Sequence, residues 1–356
     1  MGFERMDAPE TSTQKRSLPT IIDVAAQAGV SPATVDRVLN RRSSVRPATA
    51  QRVIAAAEAL GYLGADADFA ASTQKPLRIL FLLPAGQNRF LTLLARTILA
   101  AKSHFEALAL RPTLETIDSF RPDLLAQRLR QATREVDGVV FMALEHPLVR
   151  DAVDHLAHHG IPVVTIISDI VGSGRAAYVG LDNRSVGRTV GYVMGRFIGQ
   201  RPAKVAMIAG SLSYRAHEER EMGFMHLFQE MFPQTEVLGV REGYDNPERN
   251  YCQTRMVLAR HGDLAGIYNI GGAPEGVGKA LKEARKEHEI VLIGHGLTPE
   301  ARALLLDGTM DAVITQNPDL TLMQCTSVFL NIRAGRAAQE GLTPMRSEII
   351  FRENLP

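Results

Sequence analysis

The amino-acid sequence predicts an α/β protein with two parts: a small all-helical domain, and a larger two-lobed body built on parallel sheets. Three observations support this. The chain has 356 residues, more than the ~250–300 that a single hydrophobic core holds. Its early part has a helical pattern with short loops, and its later part alternates apolar runs with helix-like stretches. Positive charge is concentrated near the start.

Changes in sequence character predict four segments. Residues 1–17 are polar and unpatterned, which is typical of a disordered tail. Residues 18–63 form the helical domain, here called the head, and residues 64–76 are small and polar and form a linker. Residues 77–356 form the body.

The head contains two short helices joined by a tight turn. Gly29 supplies the left-handed residue that ends the first helix. Ser31 is placed to cap the next helix, and Pro32 occupies its first position. A third helix is expected from Pro47 to Leu60, packed on this pair. The arrangement predicts a helix-turn-helix.

The charge distribution indicates the partner of the head. Between Lys15 and Arg52 there are seven basic and two acidic residues, a local charge of +5 in a chain whose net charge is +1. A basic helical module on a mildly acidic body is typical of nucleic-acid binding.

The body contains apolar runs that read as buried strands. Their alternation with helical stretches predicts parallel sheets covered by helices. About ten strands are expected, too many for one sheet of the usual 4–6, so two lobes with a cleft between them are predicted. The clearest runs are Leu77–Leu83, Val136–Leu144, Ile161–Ile167, Lys204–Ala209, Gly266–Ile270, Ile290–Gly294 and Ala312–Thr315.

The head sequence TIIDVAAQAGVSPATVDRVLN, followed by VRPATAQRVIAAAEALGY, resembles the LacI/GalR family of transcription regulators. The resemblance implies that the second helix enters the DNA major groove. Arg37 is the best candidate to read a base, because a guanidinium can contact O6 and N7 of guanine together. The DNA-binding residues implied are Thr20, Ser31, Pro32, Ala33, Thr34, Asp36, Arg37, Asn40, Arg46 and Phe69.

Two positions depart from the family pattern. Asp36 stands where the family usually has Ser, and Ala71 stands where a Leu of the hinge helix would wedge into the minor groove. Phe69 is the remaining apolar candidate for that wedge. Hinge-mediated kinking of the DNA is therefore open.

The body resembles the periplasmic-binding-protein-like core of the same family, with two Rossmann-like lobes. Such sheets bind ligands at the carboxyl ends of their strands. The residues following the predicted strands are therefore effector-binding candidates: Asn88, Phe90, Asp169, Asn269, His295 and Gln316. The resemblance adds Arg220, which corresponds to the arginine that grips ligand hydroxyls or a carboxylate in relatives. Asp182 and Asn183 are interpreted as mainly structural, and Gly296 stands where the family carries an acidic ligand residue.

The resemblance implies a repressor that binds a palindromic operator as a homodimer and responds to a sugar, polyol or sugar acid. No cofactor, metal or catalytic residue is predicted. Two cysteines, no apolar leader and no long apolar stretch predict a cytoplasmic protein. A sugar-binding protein, or an α/β enzyme acting on a small polar metabolite, remains the alternative.

Overall fold

The computed structural model describes residues 20–39, 45–60 and 75–356. The chain divides into two compact units, one within the first 76 residues and the other beginning at Leu77. Asn40 and Phe69 lie outside the described residues, as do the predicted tail and most of the predicted linker.

The head has the three predicted helices, α1 (Ile21–Ala28), α2 (Pro32–Leu39) and α3 (Pro47–Ala59). A capping box between Thr20 and Asp23 starts α1, and Gly29 ends it with φ +65°. Ser31 accepts a hydrogen bond from the Thr34 amide at 3.2 Å, as expected of the cap of α2. The helices share one apolar core, whose buried members are Val24, Ala25, Ala28, Val35, Val53, Ala56 and Ala57.

The first lobe of the body is a parallel sheet of five strands in the order β2-β1-β3-β4-β5. The strands are β1 (Leu77–Ala85), β2 (Leu110–Asp118), β3 (Gly138–Phe141), β4 (Val163–Ile166) and β5 (Ala177–Val179). The connecting helices are α4 (Arg89–Ala100), α5 (Lys102–Ala107), α6 (Pro122–Ala132) and α7 (Pro147–His158).

The second lobe has six strands in the order β11-β10-β9-β8-β6-β7, of which only β11 is antiparallel to its neighbour. The strands are β6 (Ala203–Ala209), β7 (Thr235–Glu242), β8 (Leu264–Asn269), β9 (Val291–His295), β10 (Ala312–Thr315) and β11 (Glu348–Ile350). The helices are α8 (Asn183–Ile198), α9 (Arg215–Met231), α10 (Pro247–Arg260), α11 (Pro274–Glu283) and α12 (Pro299–Leu306).

The chain passes between the lobes three times. It leaves the first lobe between β5 and α8, and it returns after β10 into α13 (Pro318–Arg333), which packs on α4, β4 and β5. It crosses again before β11, and a 3₁₀ turn at Arg352–Asn354 follows. Within the described residues, no helix is both long and apolar enough to span a bilayer.

The seven strands predicted from apolar runs are all present, and each lies inside a sheet. Four strands were not predicted: β2, β5, β7 and β11. All four are edge strands of their sheets. Edge strands face solvent on one side, so their sequences lack a continuous apolar run. In β2, for example, buried or half-buried and exposed residues largely alternate.

Helices α8 and α9 pack backbone against backbone. A Cβ atom at Gly187 would lie 2.0 Å from the carbonyl oxygen of Arg220, and one at Gly223 would lie 2.1 Å from that of Arg184. Real Cβ atoms do not approach so closely, so only glycine permits this crossing. The crossing fixes the position of Arg220, which belongs to the site described below.

Replacing Gly187 by alanine tests this packing. We expect Gly187→Ala to destabilise the body by about 1–3 kcal/mol, because the helices must separate or bend to admit the methyl group. Urea unfolding followed by circular dichroism measures the change. Gly191→Ala on the same helix is the control, since its nearest neighbour is the Leu227 side chain at 3.1 Å. Equal stability of the two variants would contradict the close crossing.

Candidate functional site

The two lobes share a cavity at the carboxyl ends of their strands. Apolar side chains from both lobes form much of its wall, including Phe90, Met142 and Ile314. Five of the seven predicted effector residues line it: Asn88, Phe90, Arg220, His295 and Gln316.

Arg220 is the buried cation of the cavity. It is 8% exposed, its Nε donates to Asn183 Oδ1 at 2.8 Å, and its Nη1 donates to the Ile270 carbonyl at 3.0 Å. Among the described residues, its Nη2 has no acceptor and no carboxylate lies within ion-pair distance. Burial lowers the pKa of Arg220, but an arginine stays charged in proteins.

Asn183 holds that guanidinium in place. It is buried, and its amide nitrogen donates to the carbonyl oxygens of Ile167 and Leu181 and to the Tyr178 hydroxyl. Its oxygen is thereby aimed at Arg220. The sequence interpretation of Asn183 as structural thus fits its contacts, and Asp182 caps α8 by accepting from the Ser185 amide.

Two histidines lie beside Arg220 in the cavity wall. His217 Nδ1 lies 2.9 Å from the Ser211 carbonyl, and His295 Nε2 lies 2.7 Å from the Tyr268 hydroxyl. Burial lowers the pKa of His217 to about 4 and holds the pKa of His295 well below its usual range, with Arg220 adding to both effects. Both imidazoles are therefore neutral at pH 7 and can donate or accept hydrogen bonds.

Gln316 offers a second polar group from the segment that returns to the first lobe. It is 6% exposed and lines the cavity. No described residue hydrogen-bonds to its side-chain amide, so both ends of that amide can serve a ligand.

Asn88 is used differently from the prediction. Its Oδ1 caps α4 by accepting from the Phe90 amide at 3.1 Å, and its Nδ2 donates to Asp245 Oδ2 at 2.9 Å. Both ends of the amide therefore bind protein. Phe90, in the first turn of α4, packs against Gly296. A Cβ at Gly296 would lie 3.3 Å from the Phe90 Cβ. Gly296 also has φ +74°, so a side chain there would be both strained and crowded.

Two predicted residues do not line the cavity. Asp169 binds within its own lobe, where it accepts from Thr165 Oγ1 and Arg175 Nη2, both at 2.6 Å. The left-handed Ile167, at φ +63°, turns the chain between the strand end and Asp169. Asn269 is fully buried, and its Nδ2 donates to the carbonyls of Gly271 and Gly272. It shapes the cavity wall from behind.

The sequence reasoning did not name His217 as an effector-binding candidate, and it also missed Asp245. Its Oδ1 accepts from the Gly272 amide at 2.6 Å and its Oδ2 accepts from Asn88, so this carboxylate joins the two lobes. It follows β7, an edge strand whose sequence has no apolar run, so the sequence pattern does not mark it as a residue at a strand end. The Arg89–Glu300 ion pair at 3.3 Å and the Phe120–Tyr244 edge contact also cross between the lobes.

The described DNA-binding candidates of the head are exposed or half-buried. Thr20, Ser31, Pro32, Ala33 and Arg37 are exposed, as is Arg46. Thr34 and Asp36 are half-buried. The Thr20 hydroxyl donates to Asp23 Oδ2 at 2.7 Å, so part of its bonding capacity serves the helix cap. The described residues contain no cluster of three or more His, Cys, Asp or Glu side chains suited to a metal ion.

Removing the Asp245 carboxylate should weaken the contact between the lobes. We expect Asp245→Ala to cost about 1–3 kcal/mol, because the partly buried Gly272 amide and the Asn88 side chain lose their acceptor. Small-angle X-ray scattering should show a larger radius of gyration for the ligand-free variant. Asp151→Ala is the control, since Asp151 pairs with Arg130 within the first lobe. An unchanged radius would contradict the lobe-joining role.

The low pKa of His217 predicts sensitivity to acid. An unfolded histidine binds a proton below about pH 6.5, whereas folded His217 does so only near pH 4. Stability is therefore present above pH 6.5 and is lost as the pH falls toward 4, by up to ~3 kcal/mol. Urea unfolding at pH 7 and pH 4.5 should show a smaller loss for His217→Gln than for the parent. His158→Gln is the control, because His158 is exposed on α7. It should lose as much stability between pH 7 and pH 4.5 as the parent does. Equal losses for all three proteins would refute the role of His217 in the acid sensitivity.

The family model described as "Periplasmic binding protein domain" matches residues 123–336. The model described as "Bacterial regulatory proteins, lacI family" matches residues 20–64.

Individual relatives agree with both matches. Catabolite control protein A of Priestia megaterium is 30% identical over 149 residues, 42% of this chain and 43% of that protein. The HTH-type transcriptional regulator MalR of Streptomyces coelicolor is 57% identical over 42 residues, 12% of each chain. The chain thus spans less than half the length of these curated relatives.

A solved structure agrees in fold. GanP, a glucose-galactose binding protein from Geobacillus stearothermophilus, superposes with a TM-score of 0.72 at 23% identity, over 80% of this chain and all of that one. The first family model alone covers more than half of the sequence. The chain therefore belongs to the periplasmic binding protein domain family, and its head matches the lacI family of bacterial regulatory proteins.

Proposed function

We propose that this protein is a transcription regulator that binds DNA through its head and changes its DNA affinity when a small effector fills the cleft. One observation carries the proposal: a lacI-family head, with α2 presenting exposed residues, is joined in one chain to a body that holds a polar cleft between two lobes. The head is taken as residues 18–63, and residues 64–76 link it to the body.

In the head, α2 is the helix that reads DNA. Its apolar side is used in the core through Val35, and its opposite side exposes Ala33 and Arg37. A helix with this division can lie in the major groove while the rest of the domain contacts phosphate. Two copies of the chain, related by a twofold axis, would read the halves of a palindromic operator.

In the body, the effector would be a sugar, polyol or sugar acid. The lining combines Arg220, Gln316 and the two histidines with apolar side chains such as Phe90, and this mixture suits a hydroxylated ring with polar edges and a flat apolar face. GanP is a glucose-galactose binding protein, which supports a ligand of the size of a monosaccharide. An effector held by both lobes would favour closure, and closure would alter the separation of paired heads.

The proposal includes repression, a cytoplasmic location and the absence of catalysis. An enzyme would convert a bound sugar, whereas a regulator releases it unchanged. Incubation of the purified protein with each bound sugar, followed by mass spectrometry, separates these alternatives.

Selection of bound sequences from random duplex DNA tests the proposal directly. The full chain should enrich one palindromic sequence, and footprinting should show protection of both halves. Addition of a cleft ligand should change the affinity for that sequence. Recovery of no preferred sequence would refute the proposal that the protein is a transcription regulator.

The selected operator also tests Arg37. We expect Arg37→Ala to weaken operator binding by about 1–3 kcal/mol and to relax the preference at one base pair, as for a lost bidentate contact. Arg46→Ala is the matched control: a phosphate contact should be lost from every sequence alike, with a shallower salt dependence. Fluorescence anisotropy on single-base variants measures both. Equal, sequence-independent losses would exclude Arg37 as a base reader.

A further inference from the structure

We propose that the effector of this protein is a small hydroxylated carboxylate, a sugar acid, whose negative charge binds Arg220. The inference rests on the proposed function, since it names the chemistry of the ligand of the same cleft. It depends on which charges line the cavity and on which of them already have partners.

The cavity lining contains no carboxylate. Its charged residues are Arg220 and Arg89, and the remainder are apolar, amide, hydroxyl or imidazole groups. Arg89 is largely exposed and pairs with Glu300. Arg220 is therefore the cation that the cavity leaves without an ion-pair partner among the described residues. A buried charge is costly unless it is paired, and a ligand carboxylate would pair it.

The neighbouring acids do not fill this role. Asp245 is close enough to raise the pKa of Arg220, but its two oxygens accept from Gly272 and Asn88. Glu219 pairs with Arg215 at 2.8 Å. Neither forms an ion pair with Arg220, so the guanidinium keeps hydrogen-bonding capacity for a bound anion.

The groups around Arg220 also favour an anion. His217 and His295 are neutral and can donate hydrogen bonds without adding negative charge. Helix α11 begins at Ala273 and Pro274 in the cavity wall, and no side chain caps its amino end. The amino end of a helix carries partial positive charge, which adds to the attraction of Arg220 for an anion.

The single unpaired cation of the cavity indicates that the ligand carries a carboxylate and not a phosphate. One planar guanidinium matches one carboxylate in size and shape, whereas the doubly charged phosphate of a sugar phosphate would find no second unpaired cation in the described lining. Gln316 and the imidazoles remain for hydroxyl groups, and Phe90 remains for the flat face of the ligand.

Calorimetric titration with matched ligand pairs tests the inference. The pairs are D-glucose with D-gluconate and D-glucuronate, and D-galactose with D-galacturonate; D-glucose 6-phosphate is added for comparison. We expect at least one acid to bind the full-length protein about tenfold or more tighter than its neutral partner. Arg220→Met should lower the affinity for that acid about ten- to a hundredfold, the range of a lost charge-assisted hydrogen bond.

Two further variants make the result specific. Arg220→Lys keeps the charge without the planar fork and should recover part of the acid preference. Arg188→Met removes a guanidinium that pairs with Glu230 on the surface and should leave the preference unchanged. The selectivity of the parent does not depend on whether the Arg220 variants fold.

Several outcomes would overturn the inference. They are binding of a neutral sugar as tightly as its acid, tighter binding of the phosphate, or binding of none of the acids. Tight binding of a neutral sugar would leave the regulator proposal intact. Failure to select an operator would remove the regulator proposal, while the titrations would still decide the ligand.

Discussion

The close crossing of α8 and α9 is the constraint on which the candidate site depends. Gly187 and Gly223 let the two backbones touch, and this contact places Arg220 within reach of Asn183. Asn183 is bonded in turn to Ile167, in the turn that follows β4 of the first lobe. The buried guanidinium is thus oriented by groups at the point where the chain passes from one lobe to the other. A change in lobe orientation would act on Arg220 directly.

The contacts across the cleft differ in how strongly they can hold the two lobes together. The Arg89–Glu300 pair is partly exposed, and surface ion pairs contribute about 0–1 kcal/mol. Asp245 is buried and serves donors from both lobes. Its loss would leave two partly buried donors without that acceptor, which costs more than the loss of a surface pair. Asp245 therefore contributes more to the contact between the lobes than the Arg89–Glu300 pair does.

The chemistry of the cavity follows from one backbone position and one buried charge. Gly296 has a left-handed conformation against Phe90, so no carboxylate can project from there without strain. Burial, with a smaller contribution from Arg220, lowers the pKa of His217 and of His295 and keeps both imidazoles neutral at pH 7.

The sequence by itself determined the helix-turn-helix, the two-lobed α/β body and every interior strand, because buried strands must be continuously apolar and helix caps require particular residues. It also predicted residues that line the cavity, such as His295 at the end of β9 and Gln316 directly after β10. The tertiary structure alone decided the edge strands, whose solvent-facing residues carry no apolar signal, and with them Asp245. It also decided the partners of Asp169, which follows the left-handed Ile167, and of Asn269, which ends β8, because position along the chain does not reveal which way a side chain at a strand end points.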